Sequence, residues 1–208
     1  MTDAPHAPMA SPSQGLKSVC VYCASSNAAD PAFLTSAERF GAILAKAGVR
    51  LVYGGGGVGL MGAAARGAHG EGGKVLGIMP AFLTNREMLY DQVETVVVQS
   101  MHERKQIMFE QSDAFAVLPG GIGTLEEVVE LLSWRRLGLH AKPIVFLDIK
   151  GFWQPLFDLF DHILEQKLIP PEFRDTWRAV ERVEDILPTL RSMPTLAFTT
   201  APGVEEMT

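Results

Sequence analysis

Short apolar runs alternate with longer amphipathic stretches through most of this chain. Runs of that length, rich in Val, Ile, Leu and Phe and bounded by turn residues, predict strands buried on both faces. The expected strands are Ser18–Cys23, Arg50–Tyr53, Lys74–Met79, Glu94–Val98, Ala114–Leu118 and Pro143–Leu147. The amphipathic stretches predict helices over Pro31–Ala47, Gly59–Gly70, Met101–Gln111, Thr124–Leu137 and Phe152–Gln166. Ala81–Asp91 reads as a loop with a helical turn, and short helical pieces are expected near Pro171–Arg178 and Val183–Arg191. Strand–helix alternation predicts an α/β fold, a doubly wound parallel sheet with helices on both faces. Such sheets bind ligands beyond the carboxyl ends of their strands. No internal repeat or second boundary interrupts the pattern, so residues 17–192 are read as one domain. Residues 1–16 read as a disordered leader and residues 193–208 as a loose tail.

Composition narrows the function classes. The 208 residues are 47% hydrophobic and 20% charged, enough for a real core. A net charge of −6 argues against a nucleic-acid surface, which needs a basic face. No apolar stretch is long enough to span a membrane, and the Pro-, Ala- and Ser-rich start lacks the apolar centre of a signal peptide. The cytoplasm is therefore the expected compartment. Cys20 and Cys23 form a CxxC, but residues three apart on a strand point to opposite faces, so two buried reduced thiols are expected.

Two glycine loops carry the candidate chemistry. The first, Gly54–Gly57, runs into Gly57-Val58-Gly59-Leu60-Met61-Gly62, a GxGxxG between a strand and a helix. A dinucleotide site also needs an acid at the end of the next strand, and Gly77-Ile78-Met79-Pro80 has none. The loop is then either a tight turn with close helix–sheet packing or the floor of a mononucleotide site, with Gly55 and Gly56 as contacts. Ser25, at the end of the first strand, falls at the same edge of the sheet. Neither loop has the GK[ST] ending of a triphosphate-binding loop.

The second loop, Pro119-Gly120-Gly121-Ile122-Gly123-Thr124-Leu125-Glu126-Glu127, is the more informative. Glycines let the backbone approach a ligand, and the free N–H groups of the following helix favour an anion, so the segment reads as a phosphate cradle. A carboxylate facing a bound phosphate would repel it. One turned to the site must serve another part of the ligand, such as positive charge developing on a sugar. Thr124 and Glu127 can instead form a capping box, and Glu126 can simply complement the helix dipole. Ser100 and Glu103 form a second possible capping box. Arg104 and Lys105 sit early in their helix, where the dipole disfavours cations. They are either ligand contacts or a solvated pair.

Together Cys23–Ser26 (CASS), Tyr53–Gly62 (YGGGGVGLMG), Met101–Lys105 (MHERK), Pro119–Glu127 (PGGIGTLEE) and Leu137–Pro143 (LGLHAKP) resemble the Lonely Guy family of cytokinin-activating phosphoribohydrolases, many long labelled lysine decarboxylases. The resemblance runs from about Lys17 to Leu190. It implies a Rossmann-like homodimer that hydrolyses the N-glycosidic bond of cytokinin riboside 5′-monophosphates or AMP, giving free base and ribose 5-phosphate. It places the catalytic pair on Arg104 and Glu127. It places substrate contacts on Lys105, Gly120, Gly121, Ile122, Gly123, Thr124, Leu125 and Glu126, with Glu87 matching a family acid if one residue is deleted here, and Ser133 a small hydroxyl position. The chain departs at Gly57, where the family commonly has serine, at Ala24, and at Arg135-Arg136. Breaking such a bond builds cationic charge on the ribose, which a carboxylate stabilises. No metal or cofactor is called for, and the five histidines form no ligand-spaced set. A non-hydrolytic carrier of a nucleotide or phosphorylated pterin on the same scaffold is the alternative.

Overall fold

A computed structural model describes residues 15–194. The expected leader and tail fall almost entirely outside these residues. The described part is built on seven parallel strands in the order β4-β3-β2-β1-β5-β6-β7. These are β1 (Ser18–Tyr22), β2 (Arg50–Tyr53), β3 (Val75–Pro80), β4 (Glu94–Val98), β5 (Ala114–Val117), β6 (Ile144–Leu147) and β7 (Arg178–Val180). The helices are α1 (Pro31–Lys46), α2 (Gly59–Gly70), α3 (Met101–Glu110), α4 (Ile122–Arg136), α5 (Gln154–Glu165) and α6 (Ile186–Ser192).

Alternation along each strand sends side chains into two separate cores. Val19, Val21, Leu51 and Tyr53 pack with Phe40, Leu44, Leu60 and Leu187, so α1, α2 and α6 cover one face. Cys20, Tyr22, Val52 and Ile78 pack with Met108, Val128, Leu131 and Phe157, so α3, α4 and α5 cover the other. Cys20 and Cys23 are free, buried and in opposite cores, as period-two geometry requires. No described helix is long and apolar enough to cross a membrane.

The expected strands and helices are all present, with ends shifted by a residue or two. β7 was not expected. Its three residues are too short to show a period, and it forms by pairing with β6, Val145 opposite Arg178. The turn in Ala81–Asp91 is a single 3₁₀ turn at Ala81–Leu83. β1 lies between β2 and β5, where the direction of winding reverses. The crevice beyond β1 and β5 is therefore the natural ligand position, and both glycine loops reach its edge.

Candidate active site

α3 is held at its start by Ser100, whose Oγ accepts from the Glu103 amide at 3.1 Å. The Glu103 carboxylate reaches back to the Gln99 amide at 2.9 Å, completing the expected box one residue early. This entry geometry points Arg104 inward, where it is 5% exposed. Its Nη2 donates to the Gly54 carbonyl at 3.0 Å and lies 3.5 Å from Glu87 Oε2. A Cβ on Gly54 would sit 1.8 Å from that nitrogen, so only glycine leaves room for the guanidinium. The sulfurs of Met61 and Met101 flank the same group, at 4.0 and 3.9 Å. Arg104 is therefore not part of a solvated surface pair.

Lys105 turns the other way. It bonds Glu126 and lies 3.0 Å from Glu130, tying α3 to α4. Burial pulls its pKa down, but the hydrogen bonds to Glu126 and Glu130 outweigh this and raise it. Glu126 is thus a partner of Lys105 rather than a dipole complement in the first turn.

α4 begins at Ile122, two residues before the expected start, with Gly121 as its N-cap and no side-chain cap. The capping box of Thr124 and Glu127 does not form. Thr124 is buried with its hydroxyl turned to Gly120, where an added Cβ would lie 2.2 Å from Oγ1. The first bond at this end runs from the Leu125 amide to the Gly121 carbonyl at 3.0 Å. The amides of Ile122, Gly123 and Thr124 have no acceptor among the described residues. Ile122 and Gly123 are exposed at the sheet edge, and Thr124 is buried behind them.

The earlier start moves both glutamates out of the first turn. Glu127 lies on the sheet side of the helix, flanked by buried Thr124, Val128 and Leu131. Burial raises its carboxyl to about 7; Arg104 and Lys105 pull down, while Glu126 and Glu87 push up. Glu87 is also raised by burial, with Arg104 opposing. Two acids and one arginine therefore share a poorly solvated site. Glu87 Oε2 and Arg104 Nε are buried without a hydrogen-bond partner among the described residues.

The first glycine loop leads into a helix whose first amides are already bonded within the chain. The Gly59 amide donates to Asn27 Oδ1 at 2.8 Å, and those of Leu60 and Met61 donate to the Ala24 carbonyl. The start of α2 is thus already satisfied by the loop after β1. Gly54, Gly55 and Gly56 are buried and serve as the platform on which Arg104 and Glu87 rest. Gly57 has its own reason: a Cβ there would lie 2.4 Å from the Met88 carbonyl. Ser25 is exposed beside this loop. Ser133 is exposed on another face of α4, six residues past Glu127 and about 9 Å along the axis, and does not join the cluster within one chain. Arg135 is buried and donates to the Lys142 carbonyl at 2.9 Å, so the unexpected charge closes the end of α4. Sequence reasoning missed Gly54, Met61 and Met88. The only signal for Gly54 was the unusual length of the glycine run.

Residues 61–190 match the protein family described as "Possible lysine decarboxylase". The chain is 40% identical over 159 residues to cytokinin riboside 5'-monophosphate phosphoribohydrolase LOG7 of Arabidopsis thaliana, covering 76% of this chain and 73% of that protein. This chain belongs to the LOG family of phosphoribohydrolases. LOG3 of the same plant is 40% identical over 158 residues, covering 76% of this chain and 74% of that one. Among solved structures, the molybdenum cofactor binding protein of Rippkaea orientalis matches with a TM-score of 0.65 and 26% identity, over 86% of this chain and 98% of that one. The molybdenum cofactor carrier protein of Chlamydomonas reinhardtii shares the fold, with a TM-score of 0.65 at 22% identity. The decarboxylase description of the LOG family finds little support in this chain's lysines. Lys105 is held by two carboxylates, and Lys142 donates to the Phe109 carbonyl at 2.6 Å and covers the Phe109 ring.

Proposed function

We propose that this chain hydrolyses the N-glycosidic bond of adenosine-type 5′-monophosphates, cytokinin riboside monophosphates and AMP, to free base and ribose 5-phosphate. The observation that carries this reading is the placing of Glu127 on the sheet side of α4, one turn past the unpaired amides and within the electrostatic reach of buried Arg104, where burial pushes its carboxyl up to about 7. Three unpaired amides at a helix start suit a phosphate. Holding the phosphate there fixes the ribose over the carboxylate. As the bond to the base breaks, positive charge grows on the ribose ring and negative charge on the base. An ionised Glu127 stabilises the first and orients the attacking water. Arg104, anchored by Gly54 and flanked by two acids, favours the ionised form of Glu127.

Binding without hydrolysis is the second reading, and the likeness to cofactor-binding proteins supports it. The Arg104–Glu127 cluster favours hydrolysis, because a carrier of an anionic ligand gains nothing from two desolvated acids. The deciding assay mixes pure protein with AMP, dAMP, CMP, GMP and isopentenyladenosine monophosphate and measures free base. Release from the adenine nucleotides supports the proposal; binding of AMP with no base released from any of them overturns it.

The proposed assembly is a homodimer. Ile122, Val129, Leu137 and Leu139 are exposed along α4 and its end, a line of apolar surface suited to a second copy. The proposed compartment is the cytoplasm, where nucleotide substrate is made and buried thiols such as Cys20 and Cys23 stay reduced.

A further inference from the structure

Residues 84–91 cross the first glycine loop as a strap. The carbonyls of Glu87 and Met88 both accept from the single amide of Gly57, at 3.0 and 2.7 Å. The Tyr90 amide donates to the Gly55 carbonyl at 3.2 Å, and Gly56 bridges Leu89. The strap is therefore laced to three consecutive glycines. Two details show how tight the lacing is. A Cβ on Gly57 would lie 2.4 Å from the Met88 carbonyl oxygen, a backbone atom that cannot simply rotate away. Met88 itself has a φ of 47°, a left-handed conformation unfavourable for a residue with a long side chain. The functional end of the strap is Glu87, whose carboxylate lies 3.5 Å from Arg104.

We propose that Gly57 is a positioning residue for Glu87: its missing side chain lets the strap close, and the closed strap holds the Glu87 carboxylate against Arg104. This rests on the reading of the site given above. In this chain, whose strap matches the family only with one residue deleted, a side chain at 57 meets the Met88 carbonyl, and lifting Met88 to admit it draws Glu87, its neighbour, off the arginine.

Glu127 reports the position of Glu87. The groups facing Glu127 are Arg104 and Lys105 from α3, Glu126 from its own helix, Glu87 from the strap, and neutral Cys20, Tyr22 and Cys23 from β1 and its end. Of these only Glu87 moves with the strap. Its departure removes a like charge and frees Arg104 to favour Glu127 alone, so both effects lower the Glu127 midpoint.

The test is a ¹³C-carboxyl NMR titration of the full chain, with Glu127→Gln assigning the resonance. Gly57→Ala should lower the Glu127 midpoint by at least about half a pH unit. Glu87→Gln should do the same, and Gly57→Ala with Glu87→Gln should move it no further than Glu87→Gln alone. An unchanged midpoint in Gly57→Ala, or additive shifts in the double variant, overturns the proposal. The wild-type protein offers a check that does not depend on Gly57→Ala folding: its Gly57 amide should exchange slowly with solvent, and free exchange there overturns the lacing. None of these measurements needs substrate. A protein that binds AMP without cleaving it would defeat the hydrolytic reading and leave this inference standing.

Discussion

The Arg104 guanidinium donates to the Gly54 carbonyl over 3.0 Å, across a gap of 50 residues in sequence. That bond joins the two motifs read separately along the chain, the glycine run after β2 and the basic start of α3. It also explains how a positive group stays near the beginning of a helix, where the dipole opposes it. The carbonyl and the Glu87 and Glu127 carboxylates offset that cost.

Turnover should require the 5′-phosphate. The three unpaired amides at the start of α4 have no phosphate to hold in a riboside, so adenosine should be cleaved far more slowly than AMP. Chromatographic measurement of adenine from each, at equal concentration, checks this. Equal rates would defeat the phosphate-cradle argument.

Glu127→Gln should lower activity by roughly 10²–10⁴, the usual range for a lost acid–base group. Its effect on stability should depend on pH. The folded-state carboxyl titrates near 7, above its unfolded value, so the folded form binds the extra proton. Stability contributed by that proton is full below about 4.5 and is lost as pH rises toward 7. The amide variant carries no such loss. Melting curves should show it equal to wild type near pH 4.5 and more stable above pH 7. Near-wild-type turnover would refute the catalytic role.

For the pH profile of kcat/KM, an ionised Glu127 predicts a rising limb with a midpoint near 7. Glu87→Gln removes a like charge, so the limb should move to lower pH. A limb that stays in place in this variant would separate Glu87 from the reaction.

Arg104→Ala leaves Glu87 and Glu127 poorly solvated without their cation. Breaking such a pair costs about 3–5 kcal/mol, which for a domain of this size lowers Tm by at least about 6 °C. The loss should shrink at low pH, where both acids are protonated. Arg104→Lys should keep most of the stability but lose activity, because an ammonium cannot reproduce the planar fork that bonds the Gly54 carbonyl and faces Glu87 together. Calorimetry and steady-state kinetics on both variants check the pair of outcomes.

Sedimentation at micromolar concentration should show a dimer, and a fully active monomer would count against the assembly proposed for the α4 surface. Arg104 and Glu127 influence each other within one chain. Mixed dimers of Arg104→Ala and Glu127→Gln subunits should therefore recover no activity. Recovery would mean that each site takes its two groups from different chains.

Sequence alone determined the sheet, its parallel sense, the two helical layers and the opposed burial of Cys20 and Cys23. These follow from period and burial, which are local properties of a strand or helix. It also picked out Arg104 and Glu127 as the groups worth testing. It could not determine β7, because three residues in Arg178–Val180 carry no period and become a strand only by pairing with β6. It could not place the start of α4, because Thr124 offers a good cap in any local reading. Thr124 instead packs its side chain against Gly120, where only a glycine leaves room, and the helix begins at Ile122. Nor could it show which glycine loop keeps its amides open. At α2 they are taken by Asn27 and the Ala24 carbonyl, residues more than 30 positions away, while at α4 no described residue reaches them. Backbone elements are legible because they are written in neighbours. The site depends on which distant groups arrive to satisfy each amide and carboxylate, and only the folded chain decides that.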